Sequence, residues 1–143
     1  MRVVVDASVL IEIALAGGEL GPLTGHDLVA PPLALSEVTS TMSEMAWRGE
    51  LPRDRVPAAL AYLRAIPLTI TRPDDLQERA WNVASSLGWA KTYDAEYVAL
   101  AQLLDVPLLT VDGRLARGVE RLIRIVAPAD LGPSTTIQIL DGQ

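Results

Sequence analysis

A chain of 143 residues, half of them hydrophobic, is long enough for one domain with one sizeable core. It contains no Cys, which excludes disulfides, thiolate metal sites and a cysteine nucleophile. Its formal charge of −6 argues against a broadly basic nucleic-acid-binding surface, but a net charge is a sum, and a few acids can still be concentrated in one site.

Val3, Val4 and Val5 read as a buried parallel strand that stops on Asp6. Ser8 to Ala16 follows as a short helix, ended by Gly17 and Gly18. Asp6 and Glu12 interrupt this opening apolar stretch, which is unlike a signal peptide, and no apolar run reaches the ~18 residues of a membrane span. A cytoplasmic protein without a membrane segment is the expectation.

Glu19 to Asp27 reads as a loop, and its lone histidine, His26, as a surface residue. Leu28–Ala30 is a second strand, ended by Pro31 and Pro32. Leu33 to Trp47 is helical, with Leu35, Val38, Met42 and Met45 as its apolar stripe. Pro52 to Ala65 is a helix, residues 67 to 71 a short strand, and Pro73 to Leu87 a helix stopped by Gly88. Tyr93 to Leu104 is a helix, Leu108–Val111 a strand ending at Asp112, and Ile123–Val126 another strand. The tail "TIQIL" has the pattern of an edge strand. Strands alternating with helices predict an α/β fold with a central, mostly parallel sheet. In such sheets ligands bind outside the carboxyl ends of the strands, where Asp6 and Asp112 fall.

Four acids are candidates for a site: Asp6, Glu37, Asp94 and Asp112. Converging carboxylates suit hard cations such as Mg²⁺ and Mn²⁺, and a pair of such ions can stabilise both oxygens of a phosphodiester displacement. Each acid has a plainer alternative. Asp6 can be a helix N-cap, although Ser8 is able to fill that role. Asp112 precedes Gly113 and can be a turn residue. Asp94 can pair with a helix dipole, yet it lies on the face of Tyr97, Val98 and Ala101, whereas Glu96 points the opposite way. Glu37 can be a first-turn acid, with Glu44 in reserve two turns further on. Thr110 lies on the same side of its strand as Asp112 and is placed to steady it, and Ser8 can cap the first helix or touch a metal-bound water. Lys91, Arg114, Arg117 and Arg121 flank Asp94 and Asp112 and form either a basic rim for phosphates or a solvated helix face. Trp89 can stack on a base, though burial is the simpler expectation.

Four fragments, "VVVDASVL", "SEVTSTM", "YDAEYVALA" and "LLTVDGRLAR", occur in an order and spacing that resembles the PIN domain, and more closely the VapC toxins of bacterial toxin–antitoxin pairs. "RGEL" after the first long helix is similar too. The resemblance covers about residues 1 to 130, implying a PIN domain there and a tail over 131–143. It implies a three-layer α/β/α sandwich and an Mg²⁺- or Mn²⁺-dependent endoribonuclease leaving 5′-phosphate and 3′-hydroxyl ends. By motif, Asp6, Glu37, Asp94 and Asp112 correspond to the family's acidic quartet and metal ligands, with Ser8 and Thr110 at the polar positions beside it. It further implies an RNA substrate, a homodimer and a VapB-type antitoxin as partner. The helices around Met42 and Ala59–Leu63 are the expected dimer surface.

A receiver domain would need paired acids after its first strand, and a haloacid-dehalogenase-like phosphatase would need Asp-x-Asp there; this chain has Asp-Ala-Ser. A catalytically weak RNA- or antitoxin-binding PIN module is the remaining alternative.

Overall fold

Five strands form one sheet in the structure, a computed structural model that describes residues 1–132. They are β1 (Arg2–Val5), β2 (Asp27–Ala30), β3 (Leu68–Ile70), β4 (Leu108–Leu109) and β5 (Ile125–Val126). Their order is β3-β2-β1-β4-β5 and every pairing is parallel. Val4 pairs with Val29 on one side and Leu108 on the other, so β1 is the central strand. Val3, Val4 and Val5 are wholly buried, as a parallel sheet covered on both faces requires.

Among the described residues there are seven α-helices: α1 (Ala7–Leu15), α2 (Leu33–Trp47), α3 (Arg55–Ala65), α4 (Leu76–Leu87), α5 (Tyr93–Leu104), α6 (Gly113–Val119) and α7 (Pro128–Leu131). The chain steps from β1 to β2 and β3 in one direction, then crosses back to β4 and β5 in the other. Right-handed crossovers therefore place α1–α3 on one face and α4–α6 on the opposite face. The packing agrees: α1 meets α2 and α3, while α4 packs on α5 and α5 on β1 and β4. The result is the three-layer α/β/α sandwich expected. The step direction reverses between β2 and β4 at β1, which opens a crevice at the carboxyl ends of β1 and β4.

Helices α2 and α5 run over the predicted residues. Helices α3 and α4 begin three residues later than expected, because Pro52–Asp54 and Pro73–Asp75 form turns closed by Arg55 N–H to Pro52 O and Leu76 N–H to Pro73 O. Strands β4 and β5 are shorter than read, although the Thr110 N–H still reaches Val126 O at 3.3 Å. Helix α6 carries Arg114 and Arg117, for which a solvated helix face is one of the two readings, and helix α7 is additional. On α2 the core stripe is Ala34, Val38 and Met42, and Leu35 is exposed. Met42, Ala59 and Leu63 themselves are buried where α2 and α3 meet, while Leu35 and Tyr62 on the same two helices are exposed. The expected "TIQIL" strand lies outside the described residues. Among those residues no helix is long and apolar enough to cross a membrane.

Candidate functional site

Asp6 follows the last residue of β1 and is the N-cap of α1, its Oδ1 accepting from the Val9 N–H at 3.3 Å. The expectation that Ser8 would take the cap is therefore corrected: the Ser8 hydroxyl instead donates to Asp6 Oδ1 at 2.6 Å. On the other oxygen, Thr110 Oγ1 donates to Asp6 Oδ2 at 2.6 Å. Thr110 Oγ1 also accepts from the Asp112 N–H at 3.0 Å, and Ser8 Oγ accepts from the Val111 N–H at 3.3 Å. These bonds tie the loop after β1 to the loop after β4. They hold Asp6, only 4% exposed, at the base of the crevice.

Asp112 caps α6, its Oδ1 accepting from the Arg114 and Leu115 N–H groups at 3.0 and 3.1 Å. This cap is what turns "GRLARGV", with two glycines in seven residues, into a helix. Asp94 lies in the first turn of α5, and the residue at its N-cap, Thr92, makes no side-chain cap bond. Glu96 is not turned to solvent as expected. It is buried and accepts from Gln77 Nε2 at 2.6 Å, because α4 covers the side of α5 that a two-faced helix would expose. Glu44 is exposed and far enough along α2 to take no part.

Glu37 is half-buried on α2, and its Oε1 is buried without a hydrogen-bond partner. Desolvation, followed by the nearby Asp94, Asp6 and Glu96 charges, pushes its carboxyl up to about 7. Burial likewise raises Asp6, with Asp112 adding a smaller repulsion. Partial desolvation raises Asp94, with Asp112 adding to it and Arg114 opposing it. These interactions close a ring: Asp6 with Glu37, Glu37 with Asp94, Asp94 with Asp112, and Asp112 with Asp6.

The four acids are thus electrostatic neighbours at one end of the sheet. Glu37 and Asp94 line a cleft of about 750 Å³; Asp6 and Asp112 are not among its lining residues. Among the described residues no three His, Cys, Asp or Glu side chains are close enough together to hold one metal ion. The donor set is nonetheless all oxygen and mutually repelling, and Glu37 Oε1 is a buried acceptor without a donor, which is the character a hard cation requires.

The cleft is walled by the α4–α5 connection and by α6. Gly88 ends α4 with φ +70°, a left-handed turn that swings Trp89 and Lys91 toward the opening. Trp89 is half-buried against Gly118 of α6, with no more than ordinary van der Waals room between them. Lys91 and Arg114 both line the cleft, as does Tyr93, which is exposed. Arg117 and Arg121 are exposed but do not line it. His26 is half-buried rather than superficial, and its Nδ1 lies 3.2 Å from the N-terminal amine, at the opposite end of the sheet. The sequence alone did not point to Tyr93 or Tyr97 as site residues. The available signal was that Tyr97 falls one turn after Asp94 on the same face.

The model of the PIN domain matches residues 3–120. Ribonuclease VapC9 of Mycobacterium tuberculosis is 35% identical over 115 residues, covering 80% of this chain and 88% of that protein. Ribonuclease VapC3 of the same species is 34% identical over 121 residues, covering 81% and 86%. The crystal structure of PAE2754 from Pyrobaculum aerophilum superposes with a TM-score of 0.72 at 21% identity, over 92% of each chain, and shares the fold.

Proposed function

The chain belongs to the PIN-domain family, and from that premise we propose that it is an Mg²⁺- or Mn²⁺-dependent endoribonuclease, the toxin of a VapBC-type pair. The observation that carries the reading is that Asp6 and Asp112 are tied together through Thr110 at the switch point of the sheet, while Glu37 and Asp94 line a cleft with two cationic side chains. Relatives of this length named as VapC ribonucleases support the substrate class.

Asp6, Glu37, Asp94 and Asp112 are the residues that would hold the cations. A bound Mg²⁺ or Mn²⁺ supplies the positive charge that activates water and stabilises the leaving 3′-oxygen of a phosphodiester. Ser8 and Thr110 orient Asp6 by donating one hydrogen bond to each of its oxygens. Lys91 and Arg114 receive the phosphates of an unpaired RNA strand, and Arg117 extends that basic rim along α6. Trp89 and Tyr93 offer ring faces on which bases can stack. The PIN domain is taken to span 1–130, with residues 131–143 as a tail. A homodimer, a VapB-type antitoxin and a cytoplasmic location follow from the same reading.

The test is to induce the wild type and Asp94→Asn in cells and sequence RNA 5′ ends. New ends carrying a 5′-phosphate in the first sample alone support the nuclease. Identical ends in both samples favour a binding module without turnover.

A further inference from the structure

Three buried side-chain polar atoms among the described residues lack a hydrogen-bond partner, and two of them are neighbours: Glu37 Oε1 and the Tyr97 hydroxyl. Tyr97 is 1% exposed, one turn after Asp94 on α5, and its ring belongs to the core. A ring alone would serve that purpose. A hydroxyl buried without a partner costs stability and calls for an explanation. Of the groups acting on Glu37, three are acids that disfavour its charge, and Tyr97 alone favours it. The same hydroxyl also faces the charges of Asp6 and Asp94.

We propose that Tyr97 is a positioning residue that donates its hydroxyl to one oxygen of the Glu37 carboxylate, leaving the other for a divalent cation. The inference rests on the cation-dependent reading above. A phenol carries its proton at neutral pH, so it acts there as a donor. In the metal-free fold the hydroxyl makes no well-formed hydrogen bond, which leaves it available to the loaded site. Asp6 has Ser8 and Thr110 to hold its two oxygens, and Asp112 has the α6 backbone. Among the described residues Glu37 Oε1 has no other donor, and Tyr97 carries the one nearby hydroxyl that is likewise unpartnered.

Tyr97→Phe separates this from a structural hydroxyl. Melting is followed in chelator and across an Mn²⁺ titration, alongside cleavage of a single-stranded oligoribonucleotide over the same titration. The expected result is a metal-free Tm equal to or above that of the wild type, because no formed hydrogen bond is lost. The Mn²⁺ concentration needed for half the Tm rise, and for half-maximal cleavage, increases about tenfold or more, as for losing a hydrogen bond to a charged group. Wild-type Mn²⁺ dependence in Tyr97→Phe overturns the inference and leaves the nuclease reading standing. A wild type that shows no Mn²⁺ response in either measurement overturns both.

Discussion

Thr110 Oγ1 donates to Asp6 Oδ2 at 2.6 Å across 104 residues of sequence, while accepting from the Asp112 N–H at 3.0 Å. One hydroxyl thus sets the spacing between the carboxylate after β1 and the one after β4. The bond is short because its acceptor is a carboxylate in a buried setting, where such bonds are strongest.

Thr110→Val keeps the shape and removes both bonds. It leaves a buried carboxylate oxygen short of its donor and the Asp112 N–H short of its acceptor, at a cost of about 2–4 kcal/mol. Chemical denaturation should show that loss with an unchanged m-value, and ribonuclease activity should fall at least about tenfold. Thr110→Ser, which retains the hydroxyl, should recover most of both. A variant as stable and active as the wild type would remove Thr110 from the site.

The raised Glu37 carboxyl gives stability a definite pH slope. Its folded value, about 7, lies above its ordinary 4.5, so the native state binds the proton more tightly than the unfolded chain. The contribution is fully present below pH 4.5 and is lost as pH rises through 7. Asp6 and Asp94, also raised, slope in the same direction at lower pH. Glu37 opens on the cleft, so screening leaves about 1–2 kcal/mol of this loss. Metal-free melting should therefore decline between pH 5 and pH 8 by about 3–6 °C. Glu37→Gln should flatten the upper part of that decline and raise Tm at pH 8. A wild-type Tm that climbs over this range contradicts the assignment.

Lys91 and Arg114 face the cleft, whereas Arg121 does not. If each cleft cation meets one phosphate, Arg114→Ala should weaken single-stranded RNA and lower the slope of log affinity against log salt by about 0.7. Arg121→Ala should leave the slope nearly unchanged. Fluorescence anisotropy in chelator, with an unstructured oligoribonucleotide, measures both without cleavage. Equal slopes for the two variants would move the RNA path off this cleft.

The framework of the fold is legible where each residue's neighbours lie close in sequence. Val3–Val5 announces a strand covered on both faces, and α2 and α5 show their lengths through apolar spacing and Gly or Pro punctuation. The reading fails where a distant element decides. Glu96 reads as solvent-facing because one side of α5 carries the stripe, but α4 covers the other side, and all of Ala95–Ala101 is buried. Helix α6 is only weakly marked because Gly113 and Gly118 lower its propensity, and the Asp112 cap opposes that at its first turn. That Thr110 donates to Asp6 as well as accepting from the Asp112 N–H is equally invisible before β4 is laid beside β1. In each case the missing information is a contact between segments far apart in the chain.

Asp105 supplies a stability test that leaves the site alone. It ends α5 at φ 54°, ψ 51°, and is the only non-glycine with positive φ among the described residues. A side chain there brings Cβ against the following carbonyl, a strain of about 1 kcal/mol that glycine avoids. Part of the gain from Asp105→Gly is offset by the greater freedom of glycine in the unfolded chain, leaving about 0.5 kcal/mol of net stabilisation. Asp105 stands before β4, at the end of the sheet opposite Asp112, so cleavage should be unaffected. Asp105→Val should go the other way by about 1–2 kcal/mol, since a branched Cβ tolerates that conformation least. A calorimetric Tm that rises for glycine and falls for valine at constant activity is the expected pattern; a fall for both would mean that the Asp105 side chain itself stabilises the turn.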